Sequence, residues 1–290
     1  MPPKNFVENF VFTKVLCVLC VLCVSPVAFA DLFTNQPFPG IVCISETRTN
    51  PPERLFVAQV DLTNPNLHLR VAPAGPDPDG PGKWQTTLLQ PTKIAAREKF
   101  DFVVNGDFFT ARGINDGEGT NAAFRAEQWA LAEGPAMTDG KTWSTCTNAR
   151  PCLVVHKNHS VTIETMTAPD DEDWEVISGN TMLVHDGQAV PHKSNARHPR
   201  TVAGLDASSQ RLTLLVVDGR KPGVAVGMSY GELAAEMIRL GCKEAFNLDG
   251  GGSSLMAVRD ATSALKILNE PTDGRERAVA NVLGISVDPN

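Results

Sequence analysis

The sequence predicts an α+β fold, a single domain in which a mixed, mostly antiparallel sheet is packed by helices. Apolar runs of strand length recur along the chain, and the clearest are the two halves of a hairpin at 201–217. One helix has both ends encoded, because Ser229 and Glu232 form a capping box and Gly241 follows the last apolar position. No repeat or linker divides the chain, so one domain is expected over residues 31–290.

The remaining elements are predicted from local periodicity and turn composition. Residues 31–40 are a Pro-rich lead-in, and 73–82 form a loop. Helices are predicted at 88–99 and 224–241. The predicted strands are 55–62, 67–71, 102–104, 152–156, 161–165, 182–184, 244–248, 255–258 and 278–287. Residues 110–176 carry the weakest pattern.

The first thirty residues are typical of an export signal. Lys4 and Lys14 precede the apolar run 15–24, and Ala28 and Ala30 place small residues where a signal peptidase cleaves. The apolar run is too short for a comfortable transmembrane helix. We therefore predict a cleaved signal peptide over 1–30, a secreted or periplasmic protein, and no stable membrane anchor after cleavage.

Composition narrows the class of function. The chain has 290 residues, of which 42% are hydrophobic, and a net charge of −7. This length is enough to bury a sizeable core, as in an ordinary enzyme. An acidic chain without basic clusters lacks the positive surface that nucleic acids require, so no nucleic-acid partner is expected.

Four cysteines follow the predicted signal peptide, and an even number in an exported protein permits two disulfides. Cys146 and Cys152 are the favoured pair, because the polar stretch 147–151 between them would form a short closed loop. Cys43 and Cys242 would then be left as a second pair. Free buried thiols at these two positions are an equally acceptable interpretation.

The stretch 246–256, FNLDGGGSSLM, is the centre of the functional prediction. Asp249 is expected where a buried strand ends and the backbone turns. Gly250, Gly251 and Gly252 lack a Cβ, so their N–H groups can converge on an anion such as a phosphate. Ser253 and Ser254 add hydroxyl groups that can donate to oxygen. A bare glycine triplet would also fit a tight turn, but the flanking Asp and Ser residues favour a binding site.

Other polar groups follow predicted strands in the same way. Asn105 and Asp107 come after 102–104, and Asp218 and Arg220 come after the second half of the 201–217 hairpin. Arg200 lies at the start of that hairpin and, like Arg220, can bind a phosphate through two parallel hydrogen bonds. Each of these residues has a simpler structural interpretation as a turn, a cap or a surface ion pair. Their repetition at several strand ends favours a common site.

These motifs, taken in order, resemble the phosphodiester glycosidase family. The series is N-G-D-F-F at 105–109, R-H-P-R-T at 197–201, V-V-D-G-R at 216–220, G-M-S at 227–229 and N-L-D-G-G-G-S-S at 247–254, with a looser match at 178–187. The resemblance covers roughly 102–287 and is closest to single-domain secreted bacterial members. It implies a hydrolase that cleaves a sugar-1-phosphodiester, such as an N-acetylglucosamine-1-phosphodiester, in a small molecule or a glycan.

That reaction requires a site that holds the phosphate, stabilises positive charge on the sugar and directs a water molecule. The expected catalytic carboxyl groups are those of Asp249, Asp107 and Asp218. The expected substrate-binding residues are Asn105, Arg200, Thr201, Arg220, Asn247, Gly250, Gly251, Gly252, Ser253 and Ser254.

Three alternatives stay open from the sequence. A divalent hard cation such as calcium or magnesium could be bound by Asp107, Asp218 and Asp249, since no paired histidines suggest a softer metal. The chain could be a noncatalytic module that binds phosphodiesters of a cell wall or exopolysaccharide, although its four tryptophans are widely separated. It could also be a metal-dependent phosphodiesterase that cleaves the P–O bond.

Overall fold

A computed structural model describes residues 29–117 and 123–288, and within them the chain is built mainly from β-strands. Residues 1–28 of the predicted signal peptide lie outside the described residues, whereas Phe29 and Ala30 begin the first strand. In the described part of the chain, no helix is long and apolar enough to cross a membrane.

The largest sheet has eight strands, and every neighbouring pair in it is antiparallel. Its order across the sheet is β1 (Phe29–Phe38), β2 (Ile41–Thr49), β3 (Pro52–Asp61), β17 (Arg211–Val217), β16 (Arg200–Asp206), β18 (Cys242–Asn247), β14 (Thr181–His185) and β15 (Gln188–Ala189).

Three smaller antiparallel sheets complete the β structure. One five-stranded sheet has the order β20 (Leu265–Ile267), β19 (Met256–Arg259), β6 (Phe102–Asn105), β21 (Asn281–Val287) and β4 (Leu67–Pro73). The other five-stranded sheet has the order β10 (Lys141–Ser144), β9 (Ala136–Thr138), β13 (Asp173–Ser178), β11 (Arg150–His156) and β12 (Val161–Met166). The three-stranded sheet has the order β5 (Thr86–Thr87), β8 (Trp129–Ala132) and β7 (Phe109–Ala111).

The described residues contain two α-helices, α1 (Pro91–Glu98) and α2 (Tyr230–Arg239). The predicted capping box of α2 is confirmed, because the Ser229 side chain accepts from the Glu232 N–H and the Glu232 side chain accepts from the Ser229 N–H. Gly241 follows the helix with a φ of +86°. The predicted α+β class is nevertheless wrong, since two short helices beside four antiparallel sheets make a mainly β protein.

The hydrophobic core explains why two helices are enough to cover the apolar faces of the sheets in the described residues. Alternate residues of β17 face opposite sides, so Leu214 and Val216 pack in the central core while Leu215 and Val217 pack with α2. The central core lies between the inner face of the eight-stranded sheet and the two five-stranded sheets. A second cluster joins α1 to the other face of the β6–β21 sheet. Sheets, rather than helices, therefore cover most of the apolar surface.

The errors in the predicted elements have a common cause. The lead-in 31–40 is mostly strand, because β1 lies at the edge of a sheet and pairs on one side only, where prolines are tolerated. Segment 110–176 holds β11 and β12, which the predicted strands 152–156 and 161–165 match, and it also holds most of β13 and three unpredicted strands of four residues or fewer, β8, β9 and β10. Strands of three or four residues carry too little periodicity to be recognised from sequence.

The predicted Cys146–Cys152 disulfide is not formed in this structure. All four cysteines among the described residues are free thiols, and Cys43, Cys152 and Cys242 are buried. Cys146 Sγ lies 3.1 Å from the Asn148 carbonyl oxygen. Burial raises the pKa of the Cys43 and Cys242 thiols to about 11, so these thiols are inert small apolar groups rather than nucleophiles.

The packing of Gly284 in β21 gives a test of the core. A Cβ on Gly284 would lie 2.0 Å from a ring carbon of the buried Phe100. We expect Gly284→Ala to lower the free energy of unfolding by about 1–3 kcal/mol, as overpacking does. Gly231, in the first turn of α2, has open space around its Cβ position. The matched control Gly231→Ala should raise stability by about 0.5–1 kcal/mol. Equal urea midpoints for the two variants would contradict this packing.

Candidate functional site

The ends of strands from three sheets meet at one place. Asn105 ends β6, Ser178 ends β13 and Asn247 ends β18, while Arg200 begins β16 and Asn281 begins β21. All five residues are buried. The antiparallel pairing of β6 with β21 and of β16 with β18 brings these termini to the same edge. The polar motifs of the sequence therefore converge because strand ends converge.

The Asn105 side chain links the glycine-rich loop to β6 and β16 by hydrogen bonds. Its Oδ1 accepts hydrogen bonds from Thr201 Oγ1 at 2.7 Å and from the Leu255 N–H at 3.1 Å. Its Nδ2 donates to the Asp249 carbonyl oxygen at 2.8 Å. Asn105 and Thr201, predicted to bind substrate, thus use these polar atoms to position the backbone of Asp249.

Asp107 is a buried carboxyl group with three protein donors. Its Oδ1 accepts from the Ser178 N–H at 2.5 Å and from Ser178 Oγ at 2.9 Å, and its Oδ2 accepts from Asn281 Nδ2 at 2.7 Å. Asn281 Oδ1 in turn accepts from the Asp107 N–H at 2.8 Å. Burial raises the pKa of Asp107 to about 8, with these donors acting in the opposite direction and the charge of Asp249 adding to the rise.

Asp249 follows β18, as predicted, and is partly exposed. Its Oδ1 accepts from the Gly250 N–H at 2.8 Å, and its own N–H donates to the Gly106 carbonyl oxygen at 3.0 Å. Burial raises the pKa of Asp249 to about 6. Hydrogen bonding from the Ser253 hydroxyl and the Gly250 N–H and the positive charge of Arg277 lower this pKa, whereas the negative charge of Glu133 raises it. Asp249 is thus the more exposed and the more acidic member of a neighbouring carboxyl pair.

Asp218 has a different environment. Its carboxylate accepts from Asn269 Nδ2 at 3.2 Å and from the Glu270 N–H at 3.0 Å. Asn269 also donates to the Ser254 carbonyl oxygen at 3.1 Å. Asp218 therefore holds the loop beside Ser254. Among residues 29–117 and 123–288, no three His, Cys, Asp or Glu side chains lie together as a metal-binding group, and a hard cation at this site stays a prediction.

The three glycines are in close contact with their surroundings, but their amides are not all free. The Gly250 N–H donates to Asp249 Oδ1, and the Gly251 N–H donates to the Pro199 carbonyl oxygen at 2.9 Å. A Cβ on Gly250 would lie 2.7 Å from that same oxygen, and Gly251 has a φ of +63°. Of the three glycine amides predicted to bind a phosphate, only the Gly252 N–H makes no hydrogen bond within the described residues.

Buried polar atoms without hydrogen-bond partners surround this loop. Among the described residues they include Ser254 Oγ and Asn247 Oδ1. Asn247 Nδ2 is engaged, since it donates to the Leu248 carbonyl oxygen at 2.6 Å. Leaving a buried polar atom unpaired is costly, so two of them at one place indicate a site that a polar ligand completes.

Two arginines lie next to Gly250 and Gly251 of the glycine loop. Arg200 is buried, stacks on the Tyr230 ring at 4.2 Å and donates from Nε to the Met228 carbonyl oxygen at 3.4 Å. Arg220 is exposed, and a Cβ on Gly251 would lie 3.3 Å from its terminal nitrogens. In the part of the chain that the structure describes, neither arginine forms an ion pair with a carboxylate. Burial and the two guanidinium charges lower the pKa of the nearby His198.

Several residues of the site were not identified from the sequence. Asn281 and Ser178 bind Asp107, Tyr230 stacks on Arg200, and the charges of Arg277 and Glu133 act on Asp249. Ser178 lies in the motif 178–187 that resembled the family only loosely. Asn281 carried no local signal, because it is 174 residues from Asp107 in the chain.

The sequence profile of the family described as phosphodiester glycosidase matches residues 98–286, which is more than half of the chain. The chain belongs to the phosphodiester glycosidase family. The matched range includes the carboxyl pair, both arginines and the glycine loop. The resemblance drawn from the motif series is thereby confirmed.

Solved structures that resemble this family member share its fold. The N-acetylglucosamine-1-phosphodiester α-N-acetylglucosaminidase catalytic domain of zebrafish, auto-inhibited by its pro-peptide, aligns with a TM-score of 0.58 and 19% identity over 92% of this chain and 85% of that chain. A hypothetical protein from Synechocystis aligns with a TM-score of 0.60 and 13% identity, and the alignment covers 89% of this chain and 64% of that chain. A protein of Burkholderia pseudomallei K96243, whose name describes it as exported, aligns with a TM-score of 0.57 and 17% identity. That alignment covers 81% of this chain and 74% of the other.

One curated relative matches a shorter segment. The SPbeta prophage-derived uncharacterized protein YomE of Bacillus subtilis (strain 168) is 39% identical over 92 residues, or 32% of this chain. The match spans only 13% of that protein's length. This similarity concerns one segment, and the activity of the whole relative is not transferred by it.

The raised pKa of Asp107 predicts how stability depends on pH. Its folded pKa of about 8 exceeds the ordinary value of 3.8, so the folded state holds the proton more tightly than the unfolded state. Between about pH 5 and 7, this group should lower the free energy of unfolding by up to about 1.4 kcal/mol per pH unit. Asp107→Asn removes the titration, so urea denaturation should show the wild type losing stability relative to the variant as pH rises. Parallel stability curves would contradict the assignment.

Proposed function

We propose that this family member is a hydrolase that cleaves the bond between the anomeric carbon of a sugar and the oxygen of a phosphodiester. The observation that carries the proposal is a glycine loop that adjoins both carboxyl groups and arginines without acidic partners in the described residues. The Asp249 carboxylate, which is close to the buried Asp107, accepts from the Gly250 N–H. A Cβ on Gly250 would lie 3.7 Å from Arg200 Cδ, and a Cβ on Gly251 would lie 3.3 Å from the terminal nitrogens of Arg220. A substrate with a sugar at one end and a phosphate at the other can contact both kinds of group.

The arginines and the free amide would hold the phosphate. Arg220 is exposed and adjacent to Gly251, while Arg200 offers a buried guanidinium fixed by Tyr230. The Gly252 N–H and the Ser254 hydroxyl supply further donors. Because the leaving group is already the conjugate base of a strong acid, positive charge and N–H donors at the phosphate oxygens assist departure without a proton being transferred to them.

Asp249 would act as the base. It is the partly exposed member of the pair, and its pKa of about 6 leaves it ionised at neutral pH. A water molecule attacks the anomeric carbon as the C–O bond breaks, the bonding electrons leave with the phosphate, and the water proton passes to Asp249. The products are a free sugar and a phosphomonoester. The neutral Asp107 carboxyl, with its pKa near 8, limits the negative charge beside Asp249.

Export is part of the same proposal. The basic residues, the apolar run and the Ala-Phe-Ala sequence at 28–30 support cleavage of a signal peptide and release outside the cytoplasm. An extracellular or periplasmic location would bring the enzyme into contact with sugar phosphodiesters of glycans. A substrate related to N-acetylglucosamine-1-phosphodiester is the one that the motif resemblance favours.

A hydrolysis assay in ¹⁸O-labelled water tests the reaction. Full-length exported protein is incubated with uridine diphosphate N-acetylglucosamine and with simple sugar-1-phosphodiesters, and the products are analysed by mass spectrometry. Label in the sugar supports the proposal. Label in the phosphate would identify a phosphodiesterase that cleaves the P–O bond, and substrate binding without turnover would identify a noncatalytic module.

The Asp249→Asn variant should abolish turnover while keeping the fold. Asn is nearly isosteric and can still accept from the Gly250 N–H, so only the charge and the proton-accepting capacity are lost. The single-turnover rate should fall by about a hundredfold or more. Asp260→Asn, the same change in an exposed turn, should keep the wild-type rate. A stable Asp249→Asn protein with full activity would show that another group is the base.

Arg200→Gln and Arg220→Gln should each weaken substrate binding. Loss of a charged hydrogen bond costs about 1.5–3 kcal/mol, which corresponds to a tenfold or larger increase in KM. Arg97→Gln, in the last turn of α1 and partly exposed, is the matched control and should keep the wild-type KM. If both site variants also keep it, the phosphate is bound elsewhere.

A further inference from the structure

A series of ion pairs built around three buried glutamates adjoins the segment that carries Arg200, and the proposed reaction does not use it. Its members are three arginines and four glutamates: Arg48, Arg197, Arg239, Glu46, Glu53, Glu232 and Glu236. The exposed fractions of Glu46, Glu53 and Glu236 are 4%, 3% and 5%, so these are core groups rather than surface charges. We call this set the ion-pair network.

The network is continuous from one end of α2 to the other. At the distal end, Arg239 contacts Glu46 at 3.1 Å and Glu236 at 2.5 Å. Arg48 continues it, with contacts to Glu236 at 3.0 Å and to Glu53 at 3.3 Å. At the proximal end, Arg197 Nη1 donates to Glu53 at 3.0 Å, and its Nη2 donates to Glu232 of the capping box.

The proximal end holds the backbone that carries the phosphate-binding groups. Arg197 Nη1 also donates to the Gly227 carbonyl oxygen at 3.0 Å. His198 and Met228 exchange two backbone hydrogen bonds of 3.2 Å and 3.1 Å. The next residue, Pro199, accepts the Gly251 N–H at 2.9 Å. Residues 197–200, which we call the support segment, thus lie between the network and the glycine loop.

Arg200 depends on this segment for its position. The fixed contacts of its guanidinium in the described residues are a 3.4 Å hydrogen bond to the Met228 carbonyl oxygen and stacking on Tyr230. Within residues 29–117 and 123–288, no carboxylate pairs with it. Tight binding of a phosphate by an arginine requires placement to within about 0.5 Å. A backbone that moves with Arg197 would therefore move the guanidinium.

We propose that Arg197 is a positioning residue for the phosphate site, and that its own ion pairs with Glu53 and Glu232 fix it so that Arg200 and the glycine loop keep their binding geometry. This inference rests on the proposed function. A purely structural network would stabilise the fold without affecting ligand binding. Buried ion pairs often contribute little net stability when compared with apolar packing, which makes a role in positioning worth testing.

The test uses the full chain and inorganic phosphate as the probe. Phosphate dissociation constants are measured by calorimetry for wild type, Arg197→Gln, Arg197→Lys and the control Arg239→Gln, together with Tm. We expect Arg197→Gln to raise Kd about tenfold, which equals about 1.4 kcal/mol. Arg197→Lys keeps one charge but not the planar fork, so its Kd should lie in between. Arg239→Gln removes only the ion pairs with Glu46 and Glu236, which Arg197 does not contact, and should lower Tm with Kd unchanged.

The outcomes separate this inference from the proposed function. If Arg200→Gln weakens phosphate binding while Arg197→Gln and Arg197→Lys bind as the wild type does, the positioning role is wrong and the phosphate site stands. If Arg200→Gln itself leaves Kd unchanged, both are wrong. Equal increases in Kd for Arg197→Gln and Arg239→Gln would indicate general destabilisation and would also overturn the inference. Should Arg197→Gln not fold, Arg197→Lys decides by the same criterion.

Discussion

The burial of one carboxyl group, that of Asp107, constrains the arrangement of the strand ends around it. A buried carboxyl group must be hydrogen-bonded or neutral, and Asp107 has three donors from two residues and a raised pKa. Its donors Ser178 and Asn281 come from β13 and β21, which belong to different sheets. A shift in register of either strand would remove a donor. The hydrogen bonds that Asp107 requires are therefore formed only when these two sheets pack in this register.

The same requirement extends to the glycine loop through Asn105. Its side chain binds β16 through Thr201 and the loop through Leu255 and Asp249. Asp107 follows Asn105 by two residues, and the carbonyl oxygen of Gly106 between them accepts from the Asp249 N–H. Asp107 and Asp249 are therefore brought close together. A Cβ on Gly106 would lie 2.2 Å from Asn281 Oδ1, so a side chain at this position would displace the residue that binds Asp107.

The parts of this structure that the sequence predicted well are those with local causes. The capping box of α2 and the hairpin β16–β17 are determined by residues within a few positions of one another. The functional motifs were found for a related reason, since polar groups directly after a strand can be recognised locally. The contact between Asp107 and Asn281 could not be predicted, because it depends on antiparallel pairing across 174 positions.

The wrong fold class and the missing disulfide have a similar explanation. Several strands between β5 and β13 have four residues or fewer, and they are strands because a neighbour pairs with them rather than because their own sequence demands it. The proximity of Cys146 and Cys152 in the chain favoured a bridge. In the structure Cys152 is within β11, where its side chain is packed with Met137, Val154 and Val176. Packing, and not loop length, determines where this thiol points.

The distribution of charge explains how one small site can keep both reactive carboxyl groups and free cations. Had Asp249 paired with Arg220, each would have neutralised the other, and neither base nor anion site would remain. Instead, Arg277 is held by Asp273 at 2.8 Å, and Arg277 lies so close to Gly252 that a Cβ there would be 2.0 Å from its Nη2. The glycine loop, without side chains, thus lets Arg220 and Arg277 approach Gly251 and Gly252 closely. In the part of the chain that the structure describes, Arg200 has no acidic partner, which leaves it free for a phosphate but also removes what would orient it. Its position must therefore come from the backbone of the support segment and the ring of Tyr230.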